Sequence, residues 1–230
     1  MLHLVLADSE LEQVPKEISD HRVVQAQARK RGRRPTELVL NSSLHHLAMK
    51  KLPDWGRRGR PDIVHSALLM ALDSPLNSEG LLRVHVHTRN NKLITIDPSV
   101  DLPRMYNRFE GLVEHLFLTG AVPPEKPLLS LEDASLADLL KRLKPAKVIT
   151  FSDRGERKIW GDVYKGLSKD EDICVVVGGF PSGDFTSDVG KLSDELVCVD
   201  PELLRAPTVV ARAIYAYEDT FAIPKSRLER

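Results

Sequence analysis

Asp172-Ile-Cys-Val-Val-Val-Gly-Gly-Phe-Pro-Ser-Gly-Asp-Phe185, followed by Glu195-Leu-Val-Cys-Val-Asp-Pro-Glu-Leu-Leu-Arg-Ala-Pro-Thr-Val-Val-Ala-Arg212, is the stretch that decides the fold. It holds two short apolar runs, Ile173–Val177 and Leu196–Val199, each bounded by turn residues. Continuous β-branched runs of this length read as strands buried on both faces, as in a parallel sheet. The first runs into Gly178-Gly179 and reaches Gly183 within one loop. The second runs into Asp200-Pro201 and on to Ala206-Pro207, where Pro207 suits the first turn of a helix. Open parallel sheets bind small ligands beyond the carboxyl ends of their strands. Two loops leaving the same end of one sheet therefore make a cofactor cradle the expectation.

Outward from that stretch, strands and helices alternate. Strands are expected at Leu2–Leu6, Leu38–Leu40 and Lys147–Phe151. Helices are expected at Lys16–Arg31, Ser42–Lys51, Pro61–Leu72, Phe109–Leu118, Glu156–Leu167 and Pro207–Phe221, from 3.6-residue periodicity and Gly or Pro stops. Leu81–Thr88 and Lys92–Asp97 read as a hairpin turning at Asn90-Asn91. Val122-Pro-Pro-Glu-Lys-Pro127 reads as a linker, and Ser130-Leu-Glu-Asp133 as a capping box opening the next helix. The alternation argues for parallel βα units.

The chain has 230 residues, 42% hydrophobic and 29% charged, with a formal net charge of zero, which is ordinary for a globular protein with a sizeable core. No apolar run is long enough to span a bilayer. The N-terminus reaches Asp8 too early for a signal peptide, so a cytoplasmic protein is expected. Cys174 and Cys198 both fall in expected strands and read as core residues of a reducing compartment. Charge is uneven: residues 22–60 hold eleven Lys/Arg against Glu37 and Asp54, a local excess of +9. Such an excess is read as a phosphate-binding surface rather than a solvated face.

Three constellations carry chemistry. The loop Gly178-Gly-Phe-Pro-Ser-Gly-Asp184 is neither a Walker A loop nor a Rossmann fingerprint. Its glycines let the backbone approach a flat ligand, though a tight turn explains them equally. In Arg57-Arg-Gly-Arg-Pro-Asp-Ile-Val-His65, Arg60 can hold a phosphate or a base, with Asp62 facing a base edge. Alternatively, Asp62 serves the helix dipole, or the two side chains orient each other. In Leu102-Pro-Arg-Met-Tyr-Asn-Arg-Phe-Glu-Gly111, Arg104 and Arg108 share a helix face, with Tyr106 and Phe109 interleaved. His45-His46 and His85/His87 lack a zinc-ligand pattern, so no metal is expected.

Taken in order, Arg58–His65, Leu102–Leu112, Val177–Phe185 and Val199–Val209 resemble the ribosome-biogenesis pseudouridine-N1 methyltransferases of the SPOUT superfamily, in their short archaeal form. The resemblance covers essentially the whole chain. It implies a parallel α/β sheet with helices on both faces, a C-terminal deep trefoil knot and a small hairpin-containing elaboration. It implies one domain over 1–230, with an RNA-binding elaboration at about 42–108. The implied donor is S-adenosyl-L-methionine and the implied partners are small-subunit ribosomal RNA and a second copy of the chain. The loops after Lys147–Phe151, Ile173–Val177 and Leu196–Val199 would form the knot and the cofactor pocket. Gly178, Gly183, Cys198, Val199, Asp200, Pro201, Glu202 and Leu203 match cofactor-contacting positions. Arg60, Asp62, Arg104 and Arg108 match RNA-contacting positions, with Asp62 and Arg60 in the catalytic roles. Where the pattern has a further arginine, three residues before Arg104, this chain has Asp101. The alternative in another class is an RNA-binding assembly factor of the small subunit, and cofactor binding separates the two.

Overall fold

The computed structural model describes residues 1–229. Its strands are β1 (Leu2–Ser9), β2 (Leu82–Thr88), β3 (Lys92–Ile96), β4 (Ala121–Val122), β5 (Leu129–Asp133), β6 (Lys147–Arg157), β7 (Ile173–Gly178) and β8 (Glu195–Cys198). Its helices are α1 (Arg22–Arg31), α2 (Ser42–Met49), α3 (Pro61–Leu72), α4 (Pro75–Ser78), α5 (Tyr106–Thr119), α6 (Leu136–Leu143), α7 (Val189–Leu192), α8 (Ala206–Thr220) and α9 (Ile223–Leu228). The strands form one sheet in the order β4-β5-β3-β2-β1-β7-β6-β8.

From β2 to β8 the neighbours are parallel, and from β2 to β4 they are antiparallel. Strand β1 lies near the middle, with Leu2 to Leu6 in register with both Leu82–Val86 and Ile173–Val177. All eight of its residues are buried, which accounts for a nearly unbroken apolar run that does not alternate. The chain leaves β1 toward β2 and leaves β7 toward β8, in opposite directions. The carboxyl ends of β1 and β7 therefore frame a topological switch point, where such sheets bind ligands.

Helices cover both faces. Val64, Ala67, Leu68 and Ala71 of α3 and Val210, Ala213, Ile214 and Tyr217 of α8 pack with Leu4, Leu6, Val175 and Val177 on one side. Leu136, Leu139 and Leu140 of α6 cover Val5, Ala7, Cys174 and Val176 on the other. A separate small core, Val14, Ile18, Val24, Ala28, Leu38, Leu40, Ala48, Met49 and Leu52, makes a lobe out of the chain that follows β1. Strands β2 and β3 belong to the central sheet, whereas this lobe spans residues 14–52.

Several expected elements differ. Ser130–Asp133 lies in β5, whose backbone pairs with β3, and the capping box belongs instead to Ser135 and Asp138 at the start of α6. The segment expected as a helix at Glu156–Leu167 is the end of β6 and a short 3-10 turn at Trp160–Asp162. Here Gly155 decides: a Cβ on it would clash with the backbone of Leu196 and Val197, so the chain passes against β8 too closely for a helix. Leu38–Leu40 makes a single bridge, Gln13 to Val39, rather than a strand. Lys16–Arg31 is broken, because the His21 side chain caps a helix starting at Arg22. Val122–Pro127 is the tight end of the β4–β5 pair at the sheet edge, so it joins two strands rather than two units.

Strand β6 pairs with β8 twice. Ile149–Phe151 match Glu195–Val197, and after a bulge Glu156 and Arg157 match Val197 and Cys198. Gly155→Ala is expected to lower stability by about 3 kcal/mol, the upper end of overpacking costs, as read from the urea midpoint at unchanged slope.

Candidate functional site

A cavity of about 480 Å³ opens beyond the carboxyl ends of β6 and β7. Its walls come from four segments: the start of α3, Phe151–Asp153 of β6, the loop 177–185, and 203–209 leading into α8. Val177, Phe180, Phe185, Leu203 and Val209 supply apolar surface, and Arg60, Asp62, Ser66, Asp153, Asp184 and Arg205 supply charge and polarity. A slot of this size, with apolar walls and polar groups in near balance, suits a small amphipathic organic ligand. The N-terminus of α8, with Arg205 as its N-cap, opens on the same space and favours a negative group.

The glycine loop has a specific shape. A Cβ on Gly178 would lie 2.6 Å from the Phe180 ring, so only glycine lets that ring fold back. Phe180 then meets Phe185 edge to face at 5.2 Å. The far end of the loop is fastened by Asp8, which is 1% exposed. Its carboxylate accepts from Thr186 N at 2.7 Å, Ser187 N at 2.9 Å and Ser187 Oγ at 2.7 Å. His87 Nδ1 stands 3.4 Å from it. Burial by itself raises the pKa of Asp8, but the close His87 ring and the hydrogen bonds from Ser187 more than reverse this and hold it at about 2.

Arg60 and Asp62 are brought together at the cavity mouth, with guanidinium Nε and Nη2 donating to the two carboxylate oxygens at 2.9 and 2.7 Å. The reading in which they orient each other is thus the observed one. Neighbouring α3 side chains tie this pair to the 101–108 segment. His65 Nε2 lies 2.7 Å from Pro103 O and its ring stacks on Phe109 at 4.4 Å. Burial, then the Glu110 and Asp62 carboxylates, push the Tyr106 phenol well above its ordinary pKa. Arg108 is exposed with no carboxylate partner among the described residues, whereas Arg104 is forked onto Asp73 at 3.0 and 3.1 Å.

Of the expected cofactor positions, Gly178, Gly183 and Leu203 line the cavity. Cys198, Val199, Asp200, Pro201 and Glu202 do not line it. Cys198 is buried with its thiol toward Asp200 O, and Asp200 accepts from Glu202 N to shape the turn. Phe180, Phe185, Ser66, Arg205 and the Asp8 anchor were missed. Phe180 and Phe185 flanked the quoted glycines, but nothing in the sequence pairs Asp8 with Ser187, 179 positions away.

The basic stretch is less free than its count. Arg31 pairs with Glu110 and Glu114, Arg57 with Glu10, and Arg58 with Glu12, all acids outside residues 22–60. Arg22, Arg29, Lys30, Lys50 and Lys51 remain exposed without a carboxylate partner among the described residues. His45 is buried and His46 exposed, His3 and His85 stack at 6.0 Å, and burial lowers the pKa of His45 and of His85 to about 4. Among the described residues no group of three or more His, Cys, Asp or Glu could hold a metal ion, and no helix is long and apolar enough to cross a membrane.

An α/β sheet with a ligand cradle beside its switch point defines a class of ligand-binding proteins. The model of the EMG1/NEP1 methyltransferase family matches residues 4–218, and the chain belongs to that family. It is 51% identical over 192 residues to the ribosomal RNA small subunit methyltransferase Nep1 of Thermococcus onnurineus, covering 82% of this chain and 86% of that one. It is 46% identical over 217 residues to the Pyrococcus furiosus protein of the same name, covering 94% and 96%. The crystal structure of Archaeoglobus fulgidus Nep1 bound to S-adenosylhomocysteine is similar at a TM-score of 0.84 and 35% identity, covering 96% of this chain and 98% of that one.

The Asp8 carboxylate contributes fully above its unfolded pKa of about 3.9, and the contribution fades as pH falls through its folded value. Asp8→Asn is expected to cost roughly 2 kcal/mol at neutral pH and to flatten the acid limb of stability below about pH 4, in urea titrations across that range.

Proposed function

We infer that this chain is an S-adenosylmethionine-dependent methyltransferase of small-subunit ribosomal RNA, acting in ribosome biogenesis. The observation that carries the reading is the cavity beyond the carboxyl end of β7, with Arg60 and Asp62 in its lining, in a chain of this family. Its size and mixed lining fit a ligand with a flat ring at one end and charged groups at the other. The bound cofactor supplies an electrophilic methyl group. The protein therefore has to position the accepting atom and receive one proton.

The accepting atom is N1 of a pseudouridine. As a ring N–H, N1 must lose its proton at or before attack. Asp62, half exposed, orients or takes that proton, and Arg60 stabilises negative charge on the base or clamps its phosphate. Their ion pair sets both groups in place before RNA arrives. A base reaches them only when flipped from its stack or exposed in a loop. Arg104 and Arg108 hold the phosphates nearby, Arg104 exchanging Asp73 for phosphate. Gly178, Gly183 and the Cys198–Leu203 segment hold the cofactor, Gly178, Gly183 and Leu203 by lining the cavity and the rest by setting the turn beside it.

One domain spans 1–230, and the RNA-binding elaboration expected at about 42–108 includes the 101–108 segment and shares the lobe at 14–52. A C-terminal trefoil knot is supported by Val197, register partner of both Phe151 and Glu156. Gly155, between those two partners, lies close against the backbone of Leu196 and Val197, so β6 passes tightly by this point of β8. A homodimer is supported by Leu203 in the cavity wall, 70% exposed, and Tyr215 on α8, 65% exposed. The protein works in the cytoplasm, where its RNA is assembled.

Titration with S-adenosylhomocysteine should show saturable binding, and single-turnover transfer should go to a stem-loop RNA with pseudouridine and not to its uridine counterpart. Asp62→Ala should slow that transfer by about 100-fold, within the usual range for a proton-transferring group. An unimpaired rate removes Asp62 from the chemistry. Asp101→Arg should tighten RNA binding and steepen the salt dependence of log K by about one unit, measured across a salt series.

A further inference from the structure

We propose that Arg57 is a positioning residue that couples occupancy of the cofactor cradle to grip on the RNA. The proposal rests on the function inferred above. Arg57 lies three residues before Arg60, on the loop between α2 and α3. Its guanidinium reaches away from the RNA face and touches the glycine loop twice. Nη1 donates to Asp184 O at 2.7 Å, and the group lies 4.3 Å above the Phe180 ring. Nε donates to Glu10 Oε1 at 2.5 Å, and Arg89 holds the other oxygen of Glu10 at 2.8 Å. The Arg57 side chain is 14% exposed, so these contacts are made largely out of water, where they are strong.

The same Glu10 registers the RNA side. Its carbonyl accepts from Arg60 N at 2.9 Å, and Gly59 O accepts from Ser42 N at 2.8 Å at the start of α2. One short segment, 57–60, thus carries the wall of the cradle at one end and the Arg60–Asp62 pair at the other. Asp184 and Phe180 line the cavity, so a ligand that changes their position moves what Arg57 holds. Arg57 Nη2 is buried and has no acceptor among the described residues, so that nitrogen still has N–H groups to donate. A closer approach of the glycine loop over bound ligand would supply that acceptor and draw the 57–60 segment into place. By linkage, RNA on Arg60 must tighten the cradle by the same factor.

The test is a binding cycle with S-adenosylhomocysteine and a pseudouridine stem-loop RNA, in the wild type, Arg57→Lys and Arg57→Gln. In the wild type, saturating S-adenosylhomocysteine should lower the RNA Kd by about tenfold, within the usual range of coupling. Both variants should reduce that ratio to about twofold or less while RNA affinity without the ligand changes little. Lysine should fail to rescue because its point charge cannot bridge Glu10, Asp184 and Phe180 as the planar fork does. Arg89 keeps Glu10 paired, and Arg57→Lys retains a charge beside it, so a folded variant is available. A purely structural role would weaken stability and both affinities with the ratio intact, and that result overturns the proposal. So does a wild type that binds both ligands independently. If the wild type fails to bind S-adenosylhomocysteine at all, the cofactor reading itself falls.

Discussion

Three buried carboxylates at the carboxyl end of β1 hold the site together. Asp8, Glu10 and Glu12 are 1%, 0% and 3% exposed. Burying a carboxylate is tolerable only when its charge is met by partners. Each acid recruits a different part of the chain. Asp8 takes the end of the glycine loop, Glu10 takes Arg57 and Arg89, and Glu12 takes Arg58 by a two-bond fork with Asn90 nearby. The loop after β7, the loop before α3 and the β2–β3 turn are therefore fixed around one strand end. That strand end is also one side of the switch point, so ligand geometry and charge satisfaction are solved by the same residues.

The central strands were legible because complete burial leaves a simple trace. Ile173–Val177 and Leu2–Leu6 read as apolar runs and are strands within a residue or a few of the expected ends. Helix α8 was marked by Pro207, and α3 by Pro61 and its apolar stripe. What failed was local chemistry overridden by distant contact. Ser130–Asp133 carries a cap-like pattern, yet its backbone completes the sheet beside β3. Glu156–Leu167 has helix-forming residues, yet passage against β8 holds its first part extended. In the site, the glycines and the Arg60–Asp62 pair stood out because their spacing is local. Glu10 and Glu12 did not, since their arginine partners lie 46 to 79 positions away.

The same long-range pairing alters how the basic stretch is understood. Its cations divide into a shielded set of arginines, which neutralises acids just after β1 and on α5, and an exposed set of arginines on α1 and lysines after α2. Removing Arg58 from the first set takes the two-bond partner from a buried acid, and removing one of the second weakens only a salt-screened attraction. The two sets sit side by side in sequence, so a count of charge cannot distinguish a structural arginine from one that meets phosphate.

Strand β1 precedes both of its sheet neighbours in the chain, and the second of them comes late. Its second neighbour, β7, begins at Ile173, and β8 and α8, which close the cavity, follow later still. At roughly 5–20 residues per second of synthesis, that wait is on the order of 10 s or more. Throughout it, one edge of a nearly all-apolar strand lacks its partner, and Asp8 lacks the loop that will fasten it. Glu10 and Glu12, by contrast, have their arginines before position 90, so the residues that neutralise them are already in the chain. Synthesis order thus separates the three acids: the partners of two come early, and the third waits for the loop after β7.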